Sequence, residues 1–158
     1  MVEAVVAAII LVVVALGALR CQYHAAWNAR IAHAQIVATQ IGQLLLEDWK
    51  CSGGSSQYDP SHLGLGFAGP LAIPTGFQAP LTAGTVLHGG VYGITLNDTP
   101  VRVMLQSLDV EQDDQAKATL RELVVVVRFL ADSTADTRLA NLPPVILPTY
   151  VRVDASSG

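Results

Sequence analysis

Charged residues are scarce in this 158-residue chain, 14% against about 25% in an ordinary soluble domain. That deficit excludes a surface given wholly to water and leaves faces that must meet protein or lipid. Proline is missing from the first fifty residues, so no ring interrupts a helix there. No basic residue precedes the N-terminal apolar run, and Arg20–Cys21–Gln22 after it is no small-residue cleavage site, so a conventional secretory signal is not the expected reading of this segment. The first fifty residues are charge-balanced, with Glu3, Glu47 and Asp48 against Arg20, Arg30 and Lys50. The net charge of −4 therefore resides in the remainder. An acidic remainder argues against nucleic acid as a partner.

What is present begins with an unbroken apolar run, Ala4 to Leu19, behind a single carboxylate at Glu3. As a helix, residues 1–19 span about 28 Å, close to the roughly 30 Å hydrocarbon core of a bilayer. Arg20 then falls where a basic side chain snorkels to the interface. Residues 1–20 are expected to be a single-pass membrane segment. Residues 21–50 continue as an amphipathic helix, with Tyr23, Trp27, Ile31, Ala34, Ala38, Ile41 and Leu45 at alternating spacings of four and three. The remaining side, carrying Asn28, His33, Gln35, Gln40, Gln43 and Glu47, is poor in charge and suits protein as well as water. A helix of fifty residues is about 75 Å long and needs a membrane, a head domain or neighbouring subunits to support it. Gly17 is its weak point, costing about 1 kcal/mol relative to alanine.

Residues 51–93 hold ten of the thirteen glycines and four of the eight prolines. Leu63, Leu65, Phe67, Leu71, Ile73 and Phe77 interrupt them, so this segment reads as a folded, irregular connection with its own anchors. Residues 94–158 read as β structure, with a strand already starting at Val91. Val91–Leu96, Val101–Val110, Leu120–Leu130 and Ile146–Val153 are the expected strands, with Leu123–Val127 central and Pro148 marking an edge. Asn97–Pro100 and Glu111–Ala118 are the expected turns. The expected fold is α+β: a long N-terminal helix packed through the stripe from Tyr23 to Leu45 on a C-terminal antiparallel sheet.

Met1–Val2–Glu3–Ala4–Val5–Val6, the apolar run to Leu19, the amphipathic continuation, the Gly-rich connection and the C-terminal sheet together resemble the type IV pilin superfamily. That superfamily comprises pilins, minor pilins and the pseudopilins of type II secretion. The resemblance covers the whole chain as architecture and the first twenty residues as sequence. It implies a subunit that waits in the inner membrane, is handled by a pilus or secretion assembly machinery, and polymerises with copies of itself into an extracellular filament. It implies a methylated mature N-terminus near Met1, no catalysis, and no cofactor or metal. Glu3 would pair with the α-amino group of a neighbouring subunit and set register, instead of merely complementing the helix dipole. In the family the glutamate is usually fifth in the mature protein. Here it is third, so either two residues precede Met1 or the spacing is altered. The family's proline near the end of the apolar half is replaced by Arg20–Cys21–Gln22, which leaves Gly17 as the point where the helix could melt on assembly.

Cys21 and Cys51, thirty residues apart on one helix, sit about 45 Å from each other and cannot pair within a subunit. They are either free thiols or partners between staggered parallel copies. Other chemistry is poorly supported. His24 and His33 are too far apart to share a metal, and His62 and His88 lack ligands at metal spacing. Asp59, Ser61 and His62 are too nearly adjacent for triad geometry. Glu111, Asp113 and Asp114 read as a solvated turn before a calcium site. Asn97–Asp98–Thr99 matches a sugar-acceptor sequon followed by Pro100, and Ser133, Thr134 and Thr137 stand in an expected loop. Within the superfamily a minor pilin or pseudopilin is the alternative to a major subunit. A single-pass anchored binding module is the alternative outside it.

Overall fold

The computed structural model describes residues 2–72, 86–96, 99–113, 118–130 and 141–154. Met1, Ile73, Phe77, Asn97, Asp98, Asp114, Ser133, Thr134 and Thr137, named above, lie outside the described residues, as do the side chains of His88 and Asp113. A single helix, α1, runs Val2–Cys51. The chain divides into two compact units, Met1–Ile36 and Val37–Gly158. The first is helix alone, and its propensity comes from Ala and Leu among the β-branched residues, with Glu3 in the first turn where an acid meets the helix dipole.

The second unit begins with the last turns of α1. A short 3-10 turn at Pro60–Leu63 follows, then four strands: β1 (Val86–Leu96), β2 (Thr99–Asp113), β3 (Ala118–Phe129) and β4 (Val145–Asp154). They form one antiparallel sheet in the order β1-β2-β3-β4. The α+β arrangement is therefore the observed one, with the end of α1 lying on the sheet.

The helix stops for a local reason. Gly54 N–H donates to the Trp49 carbonyl and Gly53 N–H to the Lys50 carbonyl, both at 2.9 Å. This reciprocal pair of bonds closes a Schellman cap, which needs left-handed backbone. Gly53 and Gly54 supply it at φ of 70° and 65°.

The buried residues of α1 are Ala38, Gly42, Leu45, Leu46 and Trp49. The facing side of the sheet presents Val101, Val103 and Leu105 from β2, and Leu123, Val125 and Val127 from β3, all buried. Leu147 and Val151 of the outermost strand complete it. Each large side chain so enclosed contributes about 1.5–3 kcal/mol. On the opposite side Val91, Met104, Val124 and Val126 form a second buried cluster, in line across the register for Val91, Met104 and Val126. Both faces of β3 are thus covered, which is why Leu123–Val127 is a continuous apolar run and not an alternating one. Alternation survives in β4, where every second residue is half-buried.

The sheet is larger than the composition suggests. β1 begins at Val86, inside the segment expected to be connection, because His88–Gly89–Gly90 is glycine-rich and reads as loop. The glycine has a packing reason: a Cβ on Gly90 would stand 2.7 Å from the Tyr92 ring. Backbone bonds between Ala68 and Gly93, and from Leu71 N–H to the Val91 carbonyl, lay the connecting segment alongside β1. β2 extends into the expected turn, as far as Asp113. A bulge between Asp109 and Glu111 absorbs the exposed Val110 and lets pairing resume at Glu111 with Leu120. Pro100, expected in a turn, pairs with Thr95 and accepts the Leu130 N–H at 3.0 Å. Pro148 lies in β4, at the sheet's edge.

Candidate assembly surface and the helix–head junction

Along α1 every described residue from Val2 to Leu19 is exposed. Val2 stands 77% open, Leu11 71% and Val14 65%. The segment is long and apolar enough to cross a membrane, and none of it is buried within the chain. A continuous apolar surface of this extent far exceeds the few hundred Å² tolerated on an ordinary soluble monomer. On one side Ala4 and Ala8 open a shallow groove between Val5, Ile9, Val12 and Val13. Small side chains there allow another helix backbone to come close. Glu3 is exposed in the first turn, the only acid before Glu47. Gly17 has nothing within 4 Å of where a Cβ would be, so its missing side chain serves no packing inside the chain. Cys21 and Cys51 are both free and exposed.

The residues of the expected stripe divide along the helix. Ala38 and Leu45 are fully buried; Trp27, Ile31, Ala34 and Ile41 are half-buried. Tyr23 departs from the expectation of core packing. It is 62% exposed, and its ring meets His24 edge-on at 6.0 Å. The buried face instead continues past Leu45 to Leu46 and Trp49 and includes Gly42. A Cβ on Gly42 would come 2.5 Å from Leu147 Cδ1, so glycine there lets the helix backbone lie close on the sheet.

At its end α1 is tied to the head by a polar cluster around Trp49. The indole is fully buried, its N–H donates to the Ser55 carbonyl at 2.8 Å, and the Tyr58 ring stacks on it at 5.4 Å. Tyr58 donates its hydroxyl to Asp48 Oδ2 at 2.7 Å, and His62 Nε2 stands 3.0 Å from the same oxygen. His62 Nδ1 faces the Asp59 carbonyl, while Asp59 Oδ1 accepts the Ser61 N–H and caps the 3-10 turn. Burial, then the bond to Asp48 and its charge, hold the Tyr58 phenol well above its ordinary range. Burial and the charge of Asp59 also raise that of Tyr92.

Opposite the cap, Arg121 reaches from β3 with a side chain only 13% exposed. Its Nε and Nη2 engage the two Asp109 oxygens at 2.6 and 3.3 Å, and Nη1 donates to the Gly54 carbonyl at 2.7 Å. One guanidinium therefore joins two strands to the helix terminus, using the planar fork that lysine lacks.

Asp59 and Ser61 make a turn cap and the His62 ring meets Asp48, with no nucleophile–base–acid line among the three. Among the described residues no group of three metal-ligating side chains converges. The junction residues had uneven signals in the sequence. Gly42 and Trp49 continue the helical spacing from Ala38 and Leu45 and could have been added to the stripe. The partnership of Arg121 with Gly54, 67 residues away, left no local mark. Compared with family models, curated proteins and solved structures, the chain matches none.

Proposed function

We propose that the chain is the structural subunit of an extracellular type IV pilus-like filament, held in the inner membrane by α1 before assembly. The observation that carries this reading is the division of labour along one helix: from Ala4 to Leu19 it offers only exposed apolar surface behind Glu3, and its last turns are fixed to a folded head. In a bilayer, lipid covers the apolar half; in a filament, the same half of neighbouring copies covers it. Lipid and packed helices are similarly apolar, so the direction of transfer is set by packing and by polar groups. Glu3 supplies the polar term. A lone carboxylate in that setting costs several kcal/mol, which the α-amino group of an adjacent copy offsets. The head has no catalytic part in this scheme.

Electron microscopy of the native protein, with and without residues 1–20, tests the proposal. Full-length protein is expected as filaments with parallel central helices, and the truncated chain as a soluble particle without filaments. Isolated full-length particles in detergent, with a head that captures a ligand equally well after truncation, would instead identify an anchored binding module.

A further inference from the structure

We infer that α1 carries, from Arg20 to Arg30, a binding band for anionic phospholipid headgroups, in which the two arginines hold lipid phosphates and Tyr23 and Trp27 sit among them. The inference rests on the membrane-held stage of the proposed function and adds what the helix grips there.

The eleven residues from Arg20 to Arg30 divide by type around the helix. At about 100° per residue, Arg20, Tyr23, His24, Trp27 and Arg30 fall within an arc of about 120°. The other six, Cys21, Gln22, Ala25, Ala26, Asn28 and Ala29, carry no charge and no aromatic ring. Spacing alone assigns the aromatic face to head packing, yet Tyr23 is 62% exposed, and Arg20, His24 and Arg30 are exposed with it. Neither arginine has an ion-pair partner among the described residues. The whole band lies within the first compact unit, Met1–Ile36.

Its position along the helix suits a headgroup layer. Val2 to Leu19 rises about 26 Å, close to the roughly 30 Å hydrocarbon core, and each headgroup layer adds roughly 5–7 Å. Beyond Leu19 the backbone rises about 1.5 Å to Arg20, about 6 Å to Tyr23, about 12 Å to Trp27 and about 16 Å to Arg30. Helical side chains lean toward the N-terminus, so the longer ones return from above into that layer. A ring with one polar edge favours the passage from apolar to wet. A guanidinium meets a phosphodiester with two parallel N–H bonds.

Charge decides the partner. Met1–Ile36 contains one acid, Glu3, so a second copy of that unit offers a single carboxylate against two arginines. Anionic lipid offers a phosphate to each. The band is also continuous with the apolar run that makes this helix long and apolar enough to cross a membrane.

Native mass spectrometry tests the band, with the full chain in nonionic detergent titrated with equal dioleoylphosphatidylglycerol and dioleoylphosphatidylcholine. Phosphatidylglycerol should be retained preferentially, since choline neutralises the phosphate of the other lipid. Arg20→Gln should cut the preference about fivefold, and Arg30→Gln by less because it stands farther out. The double variant should cut it about five- to twenty-five-fold. Arginine-to-lysine changes at both positions should keep most of it, because the charge remains. Equal retention of the two lipids, or a preference unchanged in the double glutamine variant, would overturn the band. Displacement of bound lipid by equimolar inorganic phosphate would make it a free-anion site and overturn it too. Filaments formed by a chain without lipid preference would refute the band and leave the filament reading standing. A lipid preference in a chain that never forms filaments would uphold the band and end that reading.

Discussion

Replacing Gly54 with alanine imposes two separable costs on the helix terminus, and the neighbouring Gly53 provides the control. Both glycines hold left-handed backbone, at φ of 70° for Gly53 and 65° for Gly54. An L-residue there costs roughly 1–2 kcal/mol. A Cβ on Gly53 meets nothing within 4 Å, so Gly53→Ala should cost that strain alone. A Cβ on Gly54 stands 2.6 Å from Val151 Cγ1, with Leu123 Cδ2 at 3.6 Å and Arg121 Cδ at 3.7 Å behind it. Val151 is β-branched and fixed in β4, so it has little freedom to yield. Overpacking of this kind adds roughly 1–3 kcal/mol. Gly54→Ala should therefore lose about 2–5 kcal/mol and Gly53→Ala about 1–2. The assay is thermal unfolding of the full chain in detergent, followed by Trp49 fluorescence in a Trp27→Phe background. At about 4 °C per kcal/mol for a unit of this size, the two variants should melt several degrees apart. Val151→Ala should restore part of the Gly54→Ala loss and none of the Gly53→Ala loss. Equal losses at the two positions, with no rescue by Val151→Ala, would refute the packing argument.

Arg121→Lys should cost about 1–2 kcal/mol in the same melt and Arg121→Ala about 2–3, since lysine can serve Asp109 or the Gly54 carbonyl but not both strands of the fork. An unchanged melting temperature in Arg121→Ala would remove the clamp from the account. Ser107 is wholly buried, and its hydroxyl finds no partner among the described residues. Ser107→Ala should therefore be neutral or stabilising by up to about 1–2 kcal/mol, and a clear loss of stability would reveal a bonded hydroxyl. Tyr58 and Tyr92 both hold their protons more tightly in the fold than an ordinary phenol does. Their contribution is complete below about pH 10, the unfolded value, and drains away as pH rises through the folded values. Ultraviolet titration should show these two phenols ionising late and together with unfolding; ionisation near pH 10 in the intact fold would contradict their burial.

Legibility in the sequence followed the range of the interactions involved. The helix was legible because its causes are local: an apolar run, a three-four spacing, no proline, and Gly53–Gly54 to stop it. The strands around Val101–Leu105 and Leu123–Val127 were legible from β-branched content. Strand limits were less so, since Gly89, Gly90, Pro100 and the bulged Val110 all carry local signals against pairing that tertiary contacts override. Tyr23 matched the helical stripe by spacing alone, yet it is exposed, because period identifies a face and not how far along the helix that face is covered. Arg121 and Tyr58 act through partners distant in the chain or across a turn, and no spacing rule reaches them. The apolar half of α1 was readable from composition, but that the described residues leave it uncovered needed the fold.

The two margins of the sheet bear on how such a molecule could multiply. Beside β1 the backbone of Ala68–Leu71 already takes up hydrogen-bonding groups of Val91 and Gly93. Along β4, Pro148 offers no N–H halfway down the strand. Heads built this way are poor templates for strand-by-strand accretion, the route by which exposed sheets turn into amyloid. A crowded array of them can therefore be brought into contact without fusing sideways.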